Sequence, residues 1–293
     1  MSMINGILIK GVGSFYDVLC ADGNTIRCKA RGVFRKQHLT PTIGDHVLIE
    51  QQLQGYAFLK EILPRKNILV RPPVANIDRI FIVISATVPQ PDWLLLDQMI
   101  IQALNLGIDP VPVMNKTDGA NTDIIHTFLD DYRAFSPICV SAKTGDGLEF
   151  LRVKMYGIVS CFAGQSAVGK SSILNSLFPH LDLATGDVSE KTEHGRHTTR
   201  HAELLPFEGG AVLDTPGFSL FDPAPLEQHE LNSCYPEFKN IPFSCRYPDC
   251  MHDTEPECGV KELVEEGGMS KNRYERYLII ANEHKNRRKH KYD

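Results

Sequence analysis

Residues 4–71 alternate apolar and polar positions in short bursts. The runs ILIK, FYDVLC, TIRCKA, HVLIE and YAFLKEIL read as five strands. Ala21-Asp22-Gly23-Asn24 reads as a hairpin turn and Thr42-Ile43-Gly44-Asp45 as a second turn. Five short strands of this kind fit a small barrel of the OB type, which commonly offers a basic face to nucleic acid; an SH3-like barrel fits the same count. Arg71-Pro72-Pro73 makes a stiff break, and the pattern then changes. Ile77–Ser85 is a continuous apolar run, as in a parallel sheet covered on both faces. Trp93–Leu106 is a helix apolar nearly all round, and Val111–Met114 is the next strand. Asp123–Asp131 (helix), Ser136–Val140 (strand), a helix from Leu148, the strand Ile158–Phe162 and the helix Lys170–Phe178 continue the alternation. Such alternation predicts a doubly wound α/β domain.

Residues 181–200 carry little apolar material and read as a mobile loop. Two strands follow, Ala202–Pro206 and Ala211–Asp214, joined as a hairpin through Glu208-Gly209-Gly210. From Pro223 the chain is richer in Pro and Cys, and it ends in a helix over Ser270–Lys289. The expected division is a barrel over 1–71, an α/β core over 72–222 and a Cys-rich unit over 223–293.

Composition narrows this only slightly. A chain of 293 residues exceeds one ordinary domain, so with the alternation above a multidomain α/β protein is expected, and 42% apolar with 23% charged residues describes a soluble globular protein with ample core material. No apolar run reaches the ~18–20 residues that a membrane-spanning helix needs, and the N-terminus lacks the features of a secretory signal. The net charge of -5 hides an asymmetry: basic residues dominate 1–71 and the final helix, while the middle is acidic. That split fits nucleic-acid contact by the ends, or simply solvated charge.

The chemistry centres on Gly164-Gln165-Ser166-Ala167-Val168-Gly169-Lys170-Ser171-Ser172, which is G-x-x-x-x-G-K-S between a strand and a helix. The glycines let backbone N–H groups wrap a phosphate chain, and the helix N-terminus adds positive potential. Lys170 can reach the β- and γ-phosphates, and the Ser171 hydroxyl suits Mg²⁺. Asn115-Lys116-Thr117-Asp118, at the end of a strand, is the N-K-x-D pattern that reads guanine: a carboxylate accepts from N1–H and the 2-amino group, which adenine does not offer. Ser141-Ala142-Lys143 ends the next strand, where GTPases offer a backbone N–H to the guanine carbonyl. Asp214-Thr215-Pro216-Gly217 ends the hairpin strand, placing a carboxylate for Mg²⁺ and an N–H at Gly217 for the γ-phosphate. Thr198 or Thr199 supplies the hydroxyl that closes over Mg²⁺. The expected ligand is therefore GTP or GDP with Mg²⁺.

The motif order is inverted. The guanine-reading loops precede the phosphate loop, so the core is a circularly permuted P-loop GTPase, and its last motif is the γ-phosphate sensor. Behind that sensor come Cys245, Cys250, His252 and Cys258, a closed tetrahedral set for one structural Zn²⁺. Cys234 is off the spacing. Cys20, Cys28, Cys139 and Cys161 sit in strand-like runs as small hydrophobes. Lys271, Arg273, Arg276, Lys285, Arg287, Arg288 and Lys289 of the final helix are candidates for phosphate-backbone contact, with a solvated basic helix as the competitor.

The combination of an OB-like barrel, a permuted core with Gly195-Arg196-His197-Thr198-Thr199, and Cys-x4-Cys-x-His-x5-Cys resembles the ribosome small-subunit-dependent GTPase family (RsgA, also called YjeQ or YloQ) over essentially the whole chain. The resemblance implies a bacterial cytoplasmic factor in late 30S maturation that contacts rRNA with its barrel and zinc domain. It further implies GTP hydrolysis stimulated by the small subunit, and the chain is expected to be a monomer without membrane contact. Phe218 stands where many GTPases carry a water-orienting glutamine, and the resemblance points to His197 as the substitute. The other reading is an RNA-binding module that uses GTP as a structural ligand with negligible turnover. A small-molecule kinase is weaker still, because N-K-x-D has no role there.

Overall fold

The computed structural model describes residues 2–30, 34, 39–51, 57–70, 72–179, 202–214 and 226–289. Strands β1 (Ser2–Val12), β2 (Phe15–Cys20), β3 (Thr25–Ala30), β4 (His46–Gln51) and β5 (Ala57–Ile62) close a barrel in the order β1-β2-β3-β5-β4. Their inward alternation buries Leu8, Val18, Cys28, Val47, Ile49 and Leu59 completely. β1 is longer than its apolar run because it closes the barrel: its first half pairs with β4 and its second with β2, with an irregularity between Leu8 and Lys10.

The residues flanking Arg71-Pro72 do more than break the chain. β6 (Ile68–Val70) and β7 (Pro73–Ala75) pair antiparallel, and Ala75 N donates to Ile43 O at 2.8 Å. Gly44 (φ 87°) lies so close to the Ala75 carbonyl that a Cβ would overlap it. The linker is thus stitched to the barrel.

Next comes a six-stranded sheet in the order β10-β9-β8-β11-β13-β12. Its strands are β8 (Arg79–Ser85), β9 (Asp109–Asn115), β10 (Ile138–Cys139), β11 (Val159–Ala163), β12 (Glu203–Phe207) and β13 (Gly210–Asp214). All neighbours run parallel except the hairpin partners β12 and β13. Successive residues of β8 feed two cores: Ile80, Ile82 and Ile84 face one side, Phe81 and Val83 the other. This explains an apolar run without alternation. Helices α1 (Trp93–Asn105), α2 (Thr122–Asp131), α3 (Leu148–Val153) and α4 (Lys170–Leu177) cover the faces. Lys10 of β1 meets Glu203 of β12 at 2.7 Å, joining barrel to sheet.

The C-terminal region holds α5 (Gln228–Ser233), α6 (Gly259–Glu265) and α7 (Lys271–Lys289). Its apolar core, with Leu231, Tyr235 and Tyr277, also takes in Ile101 of α1. Here the basic-helix expectation is corrected for two residues. Arg273 is 2% exposed and bonds Asp97 and Glu237; Arg276 bonds Asp97 and Asp131. They face inward because Asp97 and Asp131 of the sheet domain, with Glu237 of the C-terminal region, neutralise them. Arg288 is likewise engaged, by Leu226 O and Glu227, whereas Lys271 and Lys285 are exposed. Among the described residues no helix is long and apolar enough to cross a membrane.

Candidate functional site

The carboxyl ends of β8, β9 and β11 converge, which is where open α/β sheets place ligands. A cavity of about 380 Å³ lies there, lined by Thr87, Asn115, Lys116, Asp118, Gly119, Ala142, Lys143, Gly169 and Ser172. Residues of the three separate sequence motifs therefore share one space.

Asn115 interlocks them. Its Nδ2 donates to Val168 O at 2.9 Å, and its Oδ1 accepts from Ala142 N at 3.1 Å. Gly169 (φ 97°) passes so near that a Cβ would overlap the Asn115 amide. Gly164 (φ 135°) is pressed in the same way on the Val83 carbonyl, so each framing glycine is needed for close approach. Lys116, left-handed at φ 65°, spans the two loops: its Nζ donates to Ala167 O at 2.7 Å and to Val88 O. Thr117 turns away from the cavity and donates to Val140 O at 3.0 Å.

Asp118 accepts from the Ser141 hydroxyl at 2.8 Å, and Lys143 Nζ lies 3.6 Å from its other oxygen. The Ser141 bond holds its pKa below the ordinary carboxylate value, so it is an acceptor-only group at neutral pH. Lys170 Nζ donates to Gly164 O (2.8 Å) and Gln165 O (2.6 Å), and burial pushes its ammonium pKa down. Gln165 Nε2 donates to Asp92 at 3.2 Å, while Ser166 is exposed and Val168 is buried. Ser171 stands in the first turn of α4. The backbone of Asp214 ends β13, the strand beside β11. His197, Thr198, Thr199 and Gly217 lie outside the described residues.

Thr87, Val88, Asp92 and Gly119 were not among the motif residues. Only Asp92 had a sequence signal, an acidic residue just before an apolar helix; its Oδ1 caps α1 at Leu95 N (2.9 Å).

The second constellation is Cys245, Cys250, His252 and Cys258, whose ligand atoms all lie within 4.8 Å of one another. His252 Nδ1 is 3.5 Å from Cys245 Sγ and 3.4 Å from Cys258 Sγ. Burial pushes the Cys250 thiol up to about 12, so a thiolate there calls for a cation at the sulfur. The donor set fits a closed, four-coordinate metal. Cys234 stays apart, its Sγ 3.4 Å from Glu230 O.

Comparison with known proteins agrees over the whole length. A family model for the RsgA GTPase matches residues 62–224, and one for the RsgA N-terminal domain matches residues 5–59. A Geobacillus thermodenitrificans relative, "Small ribosomal subunit biogenesis GTPase RsgA", is 42% identical over 98% of this chain and 99% of its own. A protein of the same name from Caldanaerobacter subterraneus is 40% identical over 100% and 99%. The crystal structure of YjeQ from Thermotoga maritima superposes with a TM-score of 0.84 at 35% identity, covering 96% of this chain and 98% of that one. That of YloQ, described as a circularly permuted GTPase, gives 0.83 at 33% identity, with 98% and 96% covered. With its barrel, permuted core and Cys/His cluster, this chain belongs to the RsgA GTPase family.

Proposed function

We propose that this chain hydrolyses GTP to GDP and phosphate under stimulation by the small ribosomal subunit, as a cytoplasmic, monomeric factor of late 30S maturation that binds rRNA. The observation that carries the reading is that Asn115, Lys116 and Asp118 of the guanine-type loop and Gly169 and Ser172 of the phosphate loop line one shared cavity. The names of the Geobacillus and Caldanaerobacter relatives supply the ribosomal context.

In this reading Asp118 accepts from the guanine edge, held by Ser141, while the Lys116 stem packs over the ring. Backbone N–H groups of Gln165–Ser171 and the Lys170 ammonium take the phosphates, which restores the charge that burial disfavours. Ser171, Asp214 and one of Thr198 and Thr199 hold Mg²⁺, whose chemistry is to neutralise developing charge on the phosphates. The Gly217 N–H faces the γ-phosphate, and His197 orients water. Cys245, Cys250, His252 and Cys258 hold one structural Zn²⁺. Residues 1–71 serve as the RNA-binding barrel; Arg27 and Lys29, both near the Phe15 ring, offer it a cationic face. Residues 72–222 are the GTPase core and 223–293 the zinc domain.

Phosphate release from GTP and from ATP, with and without small subunits, tests this. Release from GTP alone, raised by subunits, is expected. Binding without stimulated turnover would leave the GTP-liganded RNA-binding module instead.

A further inference from the structure

The ring of His252 has two ends. Nδ1 faces the cysteine sulfurs, and Nε2 lies 3.0 Å from the amide nitrogen of Asn232, on α5. Asn232 is itself fixed: its Oδ1 accepts from Tyr277 Oη at 2.9 Å and from Gln228 Nε2 at 3.0 Å. Tyr277 is fully buried in α7, packs edge-on to Phe238, and has Met251 O at 3.3 Å as a second acceptor within reach of its hydroxyl. Phe238 in turn sets its ring edge-on to His252, with centroids 5.4 Å apart. Neighbouring Tyr274 donates to the His252 carbonyl at 2.5 Å. Asn232 and its neighbours therefore grip the imidazole away from the sulfurs.

A metal on Nδ1 takes that nitrogen's lone pair and leaves the proton on Nε2. The group facing Nε2 must then be an acceptor. A half-turn of the Asn232 amide exchanges its oxygen and nitrogen between the same neighbours, and the same turn of Gln228 gives the freed NH₂ an acceptor. Tyr277 Oη can serve as donor or acceptor to either arrangement. The network thus accommodates the metal-bound tautomer without moving a heavy-atom centre.

We propose that Asn232 is the positioning residue for His252: it accepts from Nε2–H, selects the tautomer that puts a lone pair on Nδ1, and is held for this by Gln228 and Tyr277. The proposal rests on reading Cys245, Cys250, His252 and Cys258 as a zinc set. Partners of metal-bound histidines change affinity by ~10–100-fold when removed.

Zinc affinity of the full chain, measured by competition with a chromophoric chelator, tests it, alongside thermal unfolding with and without zinc. Asn232→Leu cannot accept; zinc affinity should fall by ~10–100-fold, and the gap in Tm between metal-loaded and metal-stripped protein should shrink. Asn232→Asp keeps an acceptor on Nε2 and should bind at least as tightly as wild type. Equal zinc affinity in Asn232→Leu and wild type overturns the proposal. So does equal loss of Tm in loaded and stripped protein with affinity unchanged, or failure of Asn232→Asp to restore binding. Absence of zinc binding in the wild type would remove the zinc reading itself.

Discussion

Arg273 Nη1 lies 2.5 Å from Asp97 Oδ1, with the two side chains only 2% and 1% exposed. Asp97 belongs to α1, whose cap residue Asp92 meets Gln165 of the phosphate loop, and Arg273 to the last helix of the chain. The guanidinium also bonds Glu237 at 2.8 Å and lies among the rings of Tyr132, Phe135 and Tyr235. Burial works against its charge, but Asp97 and Glu237 outweigh this and keep its pKa above the ordinary guanidinium value. Removing one member of such a buried set costs about 3–5 kcal/mol, because the rest stay charged and unpaired. Asp97→Ala leaves Arg273 with Glu237 alone and Arg276 with Asp131 alone, each short of one carboxylate, so urea unfolding should show a loss of that size. Lys271→Ala, on the exposed side of the same helix, should stay within ~0.5 kcal/mol. Similar losses for both would mean that the charges do not hold α7 in place.

That relationship marks the limit of what was legible in the sequence. Ile77–Ser85 declared a sheet buried on both faces because its centre, Ile80–Ile84, is wholly apolar, and the phosphate loop declared itself because its motif residues are contiguous and its framing glycines sit at positive φ. Arg273 and Arg276 carry no local mark of burial. Their partner Asp97 lies on α1, far back along the chain, and reads there as an ordinary polar position in a helix. Thr87 reaches the cavity and Val88 meets Lys116 only because β8 ends beside β9, and Asn232 reaches His252 only through the packing of α5. Motifs whose chemistry is local can be read from sequence. Contacts made by tertiary packing cannot.

Gly169 faces two constraints at once, a φ of 97° and the adjoining Asn115 amide. Gly169→Ala should bring backbone strain of ~1–3 kcal/mol and displace Asn115 from Val168 and Ala142. Guanine nucleotide affinity should fall by about tenfold or more, since 1.4 kcal/mol corresponds to one decade. Titration with a fluorescent GDP checks this, and unchanged affinity would mean the two loops are not interlocked.

His197 carries the prediction for catalysis that rests on family resemblance. His197→Ala should abolish the subunit-stimulated rate and leave nucleotide affinity nearly unchanged, because the proposed function assigns the base and phosphate contacts to Asp118, Lys170 and the phosphate loop. Phosphate release with saturating small subunits is the measurement. Stimulation retained in the variant would sink the assignment.

In the proposed reading Asp118 sets the base preference. In Asp118→Asn an amide N–H would face the N1–H and 2-amino donors of guanine, while the Ser141 hydroxyl bond could persist. GTP affinity should fall by ~100-fold or more, and xanthosine triphosphate, with an acceptor at C2, should bind better than GTP. Because its pKa lies below the ordinary value of 3.8, wild-type Asp118 stays ionised down through mildly acid pH. Its contribution to GTP binding should be flat between about pH 5 and 8 and fade only as pH falls through the lowered value. A preference for GTP retained by the variant would show that the base is read elsewhere.

His284 makes the docking of α7 sensitive to acid. Its ring is 7% exposed, and Nδ1 accepts from Leu226 N at 2.9 Å, a bond that only the neutral ring can make. Burial, then the neighbouring Arg287 and Arg288, lower its pKa below the ordinary 6.5. The unfolded chain consequently takes up the proton first as pH drops. This stabilisation is complete above about pH 6.5 and is lost as pH falls from there through the folded value. His284→Asn can present an amide oxygen where Nδ1 stood, and it does not titrate. Between about pH 7.5 and 5.5 the Tm of the wild type should fall further than that of the variant. Both proteins share the acid sensitivity of the Cys/His cluster, so the difference between the two falls isolates His284. Parallel falls would remove its role.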